Sequence, residues 1–485
     1  MATARRNMNS RTASAVEAPA RRQAAPPDHF ERLGLHGLER LAPVLLAALA
    51  TEEPLLLIGP HGTAKSLLLT RIAEALGLSF RHYNASLLNF DDLVGFPLPG
   101  KDGQLEYVKT PAAIWGAGAV IFDEISRCRP EIQNKVFPVV HERRVQGLLL
   151  EDLKYRWAAM NPPATDDDDN GYAGSEPLDA ALADRFAFVV EMPGWAELSE
   201  SQQLAVIRAA DARVDPDAAL ALSGAVARVR ASLPALRESM AEDVSGYVRA
   251  VTALLAQAGI MLSPRRAGMM FRSILAVHAA ALIAAPDSSG ADVTLLALGC
   301  SLPQRAQGIA VSRTALLAAH REAWHLSGIK PGDPLRAILL AADPVDRLRL
   351  AVAAPSLPKG EFSGIVGDAL ARMAPGAKDA AVVHLFETDA AGRLTAAIAE
   401  QIAPVYRAAA VPQPFSQSVH AAGPRFRTWA RIKDLLSRLD PAQPAHRHRA
   451  NALAAAFARE ELATPQDAEA AFEAYRRTDA RLRGA

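Results

Sequence analysis

Cysteine is nearly missing from this chain. Cys128 and Cys300 are the two in 485 residues, too few for a disulfide framework or a four-thiolate zinc site. Net charge is missing as well: Lys+Arg and Asp+Glu both total 53, so no overall field draws the chain to nucleic acid or an anionic membrane. Aromatics are 6% of the residues and are not interleaved with a basic stripe that could stack single-stranded bases. No apolar stretch approaches the ~20 residues of a spanning helix, and the N-terminus lacks the apolar core of a secretory signal. The expectation is a cytoplasmic globular chain with no membrane span and no nucleic-acid partner.

Half of the residues are hydrophobic and 22% are charged, which excludes a wholly disordered chain. The length predicts roughly three domains. Residues 1–28 read as a disordered tail. Arg5, Arg6, Arg11, Arg21 and Arg22 face only Glu17 and Asp28, and a transit peptide or a weak anionic contact are the other readings. Residues 29–193 alternate short buried-strand runs with helical periodicity: Leu55 to Ile58, Ala119 to Phe122, Tyr155 to Met160, and a start at Val189-Val190. That pattern predicts an α/β domain, a mostly parallel sheet flanked by helices.

Residues 194–310 read as a helical domain broken at Pro216, Pro234, Pro264 and Pro286. Residues 311–485 form a second, mainly helical region, in which Thr464-Pro465 with Asp467 is a strong helix start. His446-Arg447-His448-Arg449 reads as an exposed basic helix end. Residues 420–485 hold 12 Lys/Arg against 8 Asp/Glu, too small an excess to establish nucleic-acid binding.

Gly59-Pro60-His61-Gly62-Thr63-Ala64-Lys65-Ser66 follows one predicted strand and opens one predicted helix, the context in which a G-x-x-x-x-G-K-[ST] pattern acquires meaning. Small residues let successive backbone N–H groups turn inward around phosphate oxygens. Lys65 would reach the β- and γ-phosphates of ATP, and the Ser66 hydroxyl would bind Mg²⁺. Ala64 stands where the second glycine is usual, and its methyl is tolerable if the residue keeps helical dihedrals. A strand–turn–helix with an incidental lysine is the competing reading.

Asp123 and Glu124 end the second buried run, at the strand edge where ligands collect in open α/β sheets. Asp123 would hold Mg²⁺ through its water shell. Glu124 would orient or deprotonate the attacking water, which hydrolysis needs and binding does not. An acid pair capping the next helix is the plain alternative.

In this order the motifs of residues 33–310 resemble those of AAA+ ATPases, and specifically the MoxR family. The loop Gly59–Ser66 resembles that family's phosphate loop, alanine included, and Phe122 to Arg127 its metal and water-activating segment. Tyr83 to Thr110 resembles the helix-two insertion of this branch. Met160-Asn161-Pro162 is similar to the polar sensor, Leu182 to Phe186 to the segment carrying the arginine finger, and Ser263-Pro264-Arg265 to the second sensor in the lid. The resemblance implies an AAA+ core with a helical lid, and Asn161 on the γ-phosphate or attacking water. It implies Arg185 entering a neighbour's site and Arg265, rather than Arg266, touching the nucleotide from the lid. Asn161 also reads as a turn residue before Pro162.

Two segments depart from the pattern. Ala164 to Ser175, with Asp166 to Asp169, is longer and more acidic than the family's and reads as a solvated loop. Val145 to Lys154 would form a hairpin whose apolar run is either sheet core or a partner contact. The resemblance implies a homo-oligomer, usually a hexameric ring, that hydrolyses ATP with Mg²⁺ to remodel a client protein, commonly one with a von Willebrand factor A domain. By family analogy, residues 311–485 would bind the partner. A nucleic-acid-dependent motor and a non-hydrolysing nucleotide switch are the alternatives.

Overall fold

A computed structural model of the chain describes residues 29–99, 105–163, 175–209, 214–329, 332–412 and 423–484. The N-terminal tail and the acidic run Asp166 to Asp169 lie outside these. The described chain divides into two compact units, one ending at Gly328 and the other beginning at Ile329.

The first unit is built on a five-stranded sheet of β1 (Leu55–Ile58), β2 (Phe80–Asn84), β5 (Ala119–Asp123), β8 (Tyr155–Met160) and β9 (Phe188–Glu191). Two hairpins lie outside it: β3 (Phe96–Pro99) with β4 (Leu105–Val108), and β6 (Arg144–Val145) with β7 (Leu148–Leu149). The sheet order is β2-β5-β8-β1-β9, and every pairing is parallel. Its three central strands are buried on both faces almost throughout, which is why they read as unbroken apolar runs rather than as alternation. Parallel pairing sends the C-terminal ends of β5, β8 and β1 to one edge. Asp123, Asn161 and Gly59 therefore leave the sheet side by side. The architecture is a parallel sheet flanked by helices, with a mostly helical remainder.

The long helix Pro216–Gln257 runs straight through Pro234, where the sequence predicts a break. An internal proline costs a helix about 3 kcal/mol, and packing on both sides of it offsets that cost. Val229 and Leu236 are fully buried, and Arg230 ties the turn to the carbonyls of Leu49 and Ala50 and to Glu52. The helices Pro216–Gln257 and Pro264–Ala284 are also long and apolar enough to cross a membrane by length and composition, contrary to the expectation from apolar runs. In this fold the second is a core helix: Met270, Ile274, Val277 and Ala280 are buried where it packs on Ala42–Thr51 and Pro216–Gln257.

The helix Arg313–Ser327, placed by sequence beyond the boundary at 310, packs within the first unit. Tyr247 Oη lies 2.8 Å from His320 Nδ1, and Trp324 meets the Tyr247 ring edge-on. Tertiary contact of this kind leaves no local signal.

The second unit is helical throughout its described residues, from Pro334–Leu340 to Pro465–Arg483. Its last helix starts as the sequence indicates: the Thr464 hydroxyl accepts from the Asp467 N–H, and the Asp467 carboxylate accepts from the Thr464 N–H. The run His446 to Arg449 is not simply an exposed end. His448 pairs with Glu387 at 3.0 Å, and Arg449 is buried over the Phe472 ring, so half of the run is packing surface.

Candidate functional site

The phosphate loop links the end of β1 to the helix Lys65–Ala75. Gly59 is required by space: a Cβ there would stand 3.0 Å from the Met192 Cβ and 2.9 Å from the Thr63 hydroxyl. Gly62 takes φ +79°, a conformation glycine adopts without cost. Ala64 does not keep ordinary helical dihedrals. It sits at φ 57°, ψ 23°, in the left-handed region that costs an alanine roughly 1 kcal/mol or more. Thr63 donates its hydroxyl to the Pro60 carbonyl at 2.8 Å, closing the turn.

Lys65 is buried beneath this loop. Its ammonium donates to the carbonyls of Gly59 at 2.7 Å and Pro60 at 2.8 Å, and to Asn161 Oδ1 at 3.2 Å. Burial lowers its pKa, and the carboxylates of Asp123 and Glu124 oppose that shift. Ser66 Oγ donates to Asp123 Oδ2 at 2.6 Å. The same carboxylate oxygen lies 3.3 Å from His82 Nε2, and the Glu124 N–H donates to Asp123 Oδ1 at 3.0 Å. Burial pushes the Asp123 carboxyl up, but the bonds from His82, Ser66 and the Glu124 N–H outweigh it, and its pKa ends lowered. Asp123 is thus an anion at neutral pH. A hydroxyl and an anionic carboxylate sharing one contact are hard oxygen donors, a set that fits Mg²⁺.

Glu124 turns the chain out of the strand at φ 53°, ψ 39°, and its carboxylate lies 3.4 Å from Arg127. Below it, Ser126 and Ser175 are buried hydroxyls 3.1 Å apart. Ser175 Oγ is also 3.1 Å from the Asn161 carbonyl oxygen. His82 and Ser175 belong to no motif. Their role is visible only once β2 lies beside β5 and residue 175 returns under β8.

Arg185 and Arg265 form a second cluster. Arg185 donates to the Ala181 carbonyl and stacks over the Phe137 ring. Burial and the nearby Arg265 charge lower its pKa. Arg265 is 44% exposed and 3.7 Å from Asp184. The same two arginines act on His141, whose pKa is lowered by burial first and by their charges next. Arg266 has a different task. With 0% exposure it donates to Asp184 and to the carbonyls of Phe186, Ala183 and Ser301, fastening residues 183–186 to the helical region. The structure therefore gathers Lys65, Ser66, Asp123, Glu124 and Asn161 in one place, and Arg185 with Arg265 around Asp184.

A cleft of about 520 Å³ borders Gly59 and Pro60, lined also by Pro162, Met192 and Glu197. A larger one, about 910 Å³, is lined by Arg40, Asp292 and Arg313 and includes no phosphate-loop residue. Leu148 and Leu149, in the β6-β7 hairpin, are exposed rather than sheet core.

Residues 54–186, from β1 to just before β9, match the family model described as AAA domain (dynein-related subfamily). Among solved structures, the chain is similar to a putative ATPase from Cytophaga hutchinsonii at 18% identity and a TM-score of 0.42, over 66% of this chain and 96% of that one. No curated protein matches the chain. Residues 54–186 thus form an AAA domain, the fold unit of an ATP hydrolase.

Proposed function

We propose that this chain is a MoxR-type AAA+ ATPase that couples Mg²⁺-dependent ATP hydrolysis to the remodelling of a partner protein in the cytoplasm. The observation that carries the hydrolytic reading is the convergence of Lys65, Ser66, Asp123, Glu124 and Asn161 at three adjacent strand ends. The loop Gly59 to Ser66, with Pro60, His61, Gly62, Thr63 and Ala64 between, would wrap the phosphates with its N–H groups. Lys65 would exchange the carbonyls of Gly59 and Pro60 for phosphate oxygens, which neutralise it better than neutral carbonyls do. Ser66 and Asp123 would hold Mg²⁺, which when bound offsets phosphate charge. Glu124 would orient and deprotonate the attacking water, and Asn161, already tied to Lys65, would sense the γ-phosphate.

Arg185 and Arg265 stand together at Asp184, while Lys65 bonds to Gly59, Pro60 and Asn161. In this reading both arginines serve the phosphate of an adjoining copy, so the working form is a homo-oligomer, a hexameric ring by analogy. A client with a von Willebrand factor A domain, and complex maturation or metal-cofactor insertion as the outcome, follow from the family resemblance. So does partner binding by the second unit.

The test is stimulation. Turnover by the assembled protein should rise with its client and stay flat with single- or double-stranded DNA; stimulation by DNA alone would replace the remodelling reading with that of a nucleic-acid motor.

A further inference from the structure

The hydroxyl of Ser175 joins the two strand-end loops on which hydrolysis depends. Ser175 Oγ lies 3.1 Å from the Asn161 carbonyl oxygen and 3.1 Å from Ser126 Oγ. Ser175 is the donor towards both acceptors, the Asn161 carbonyl and Ser126 Oγ, so its single proton is shared between them. Both serines are 2% exposed, so water does not compete for these bonds. On one side the chain of bonds continues through the Asn161 amide to Lys65. On the other, Ser126 is two residues from Glu124, which leaves β5 in a left-handed turn.

The surrounding backbone is held independently. The Glu176 N–H donates to the Ser126 carbonyl and the Leu178 N–H to the Ala306 carbonyl. Loss of the Ser175 hydroxyl would therefore leave the segment in place and release only the cross-tie.

We infer that Ser175 is a positioning residue for ATP hydrolysis, fixing the separation of the Asn161 and Glu124 loops so that water and γ-phosphate meet in line. The inference rests on the roles proposed above for Glu124 and Asn161. Small misplacements at a reacting centre are costly, with ~1 Å worth as much as ~100-fold in rate. Part of that is expected from losing one tie.

Ser175→Ala should lower kcat for ATP roughly 10-fold while leaving KM and nucleotide affinity within about twofold, and Ser175→Thr should restore most of the rate. Ser126→Ala should reproduce the loss, and the double variant should be no slower than either single one, because all three remove the same tie. If Ser175→Ala does not fold, Ser126→Ala carries the same test. A kcat within twofold of the parent, a KM that rises in step with the loss, or failure of threonine to restore the rate would overturn the inference. Glu124→Gln is measured alongside. Its loss of turnover keeps the underlying reading whatever Ser175 does, and its normal turnover would remove both.

Discussion

Ser66 and Asp123, 57 residues apart in sequence, share a hydrogen bond of 2.6 Å at the top of the sheet. The parallel register makes this pairing, since it brings the end of β5 up to the first turn of the helix that leaves β1. Removing either partner should weaken metal binding at the site without unfolding the protein. Ser66→Ala and Asp123→Asn should raise the Mg²⁺ concentration for half-maximal turnover 10- to 100-fold, the usual effect of losing or loosening a metal ligand. His82→Ala should act in the same direction and more weakly, because its imidazole only braces Asp123. Turnover at graded Mg²⁺, with Mn²⁺ binding followed by electron paramagnetic resonance, reads both effects.

Arg265 and Arg266 are adjacent in sequence and opposite in consequence. Arg266 is fully buried with four partners, so Arg266→Ala leaves Asp184 and three carbonyls short of a donor. A loss of stability on the order of 2–4 kcal/mol is expected, seen as a clear drop in melting temperature. Arg265→Ala should change stability little, since an exposed pair of this length contributes at most ~1 kcal/mol, yet should slow turnover by the oligomer. Melting curves and rates of both variants separate the roles.

The loop Gly59 to Ser66, the acid pair and Asn161 stand out in the sequence as short motifs at predicted strand ends, and the structure brings them together. Four strands of the sheet were legible because a strand buried on both faces must be continuously apolar, whereas β2, partly exposed along its length, was not. What remained hidden depends on partners far along the chain. Arg230 and its neighbours hold Pro234 inside a helix, Asp184 meets both the buried Arg266 and the exposed Arg265, and the bond of Tyr247 to His320 draws 313–327 into the first unit. His82 and Ser175 gain meaning only from the strands beside them. Ala64 shows the limit of residue type as a guide: the loop dictates its left-handed dihedrals, and alanine complies.

Stability should fall in mild acid. His278 and His320 are buried, and burial holds each pKa down at about 4, against ~6.5 in an unfolded chain. Above pH ~6.5 both states are neutral and the fold keeps its full stability. As pH falls from there towards 4 the unfolded chain takes up protons that the fold refuses, and stability drops by on the order of 1–3 kcal/mol per histidine. Urea midpoints between pH 7.5 and 4.5 should show this slope. His320→Gln, which keeps a polar partner for Tyr247, should begin less stable at pH 7.5 and show a shallower decline.

The division of the site between copies should appear in mixtures. Lys65→Ala should lose tight ATP binding; Arg185→Ala should bind ATP normally and hydrolyse it very slowly, because an arginine finger supplies ~10³–10⁵ in rate. When the two assembled variants exchange subunits, part of the activity should return. An intact Lys65 then meets an intact Arg185 at some interfaces. Turnover by Arg185→Ala at the parent rate would remove the finger assignment.

The central claim is that Glu124 activates water over a nucleotide held by Lys65, Ser66 and Asp123. Single-turnover hydrolysis of bound ATP by Glu124→Gln tests it most directly, with nucleotide affinity and assembly measured on the same sample. The account predicts ATP bound at near-parent affinity, assembly retained, and a hydrolysis rate lower by two orders of magnitude or more. Hydrolysis at the parent rate with ATP fully bound would contradict it.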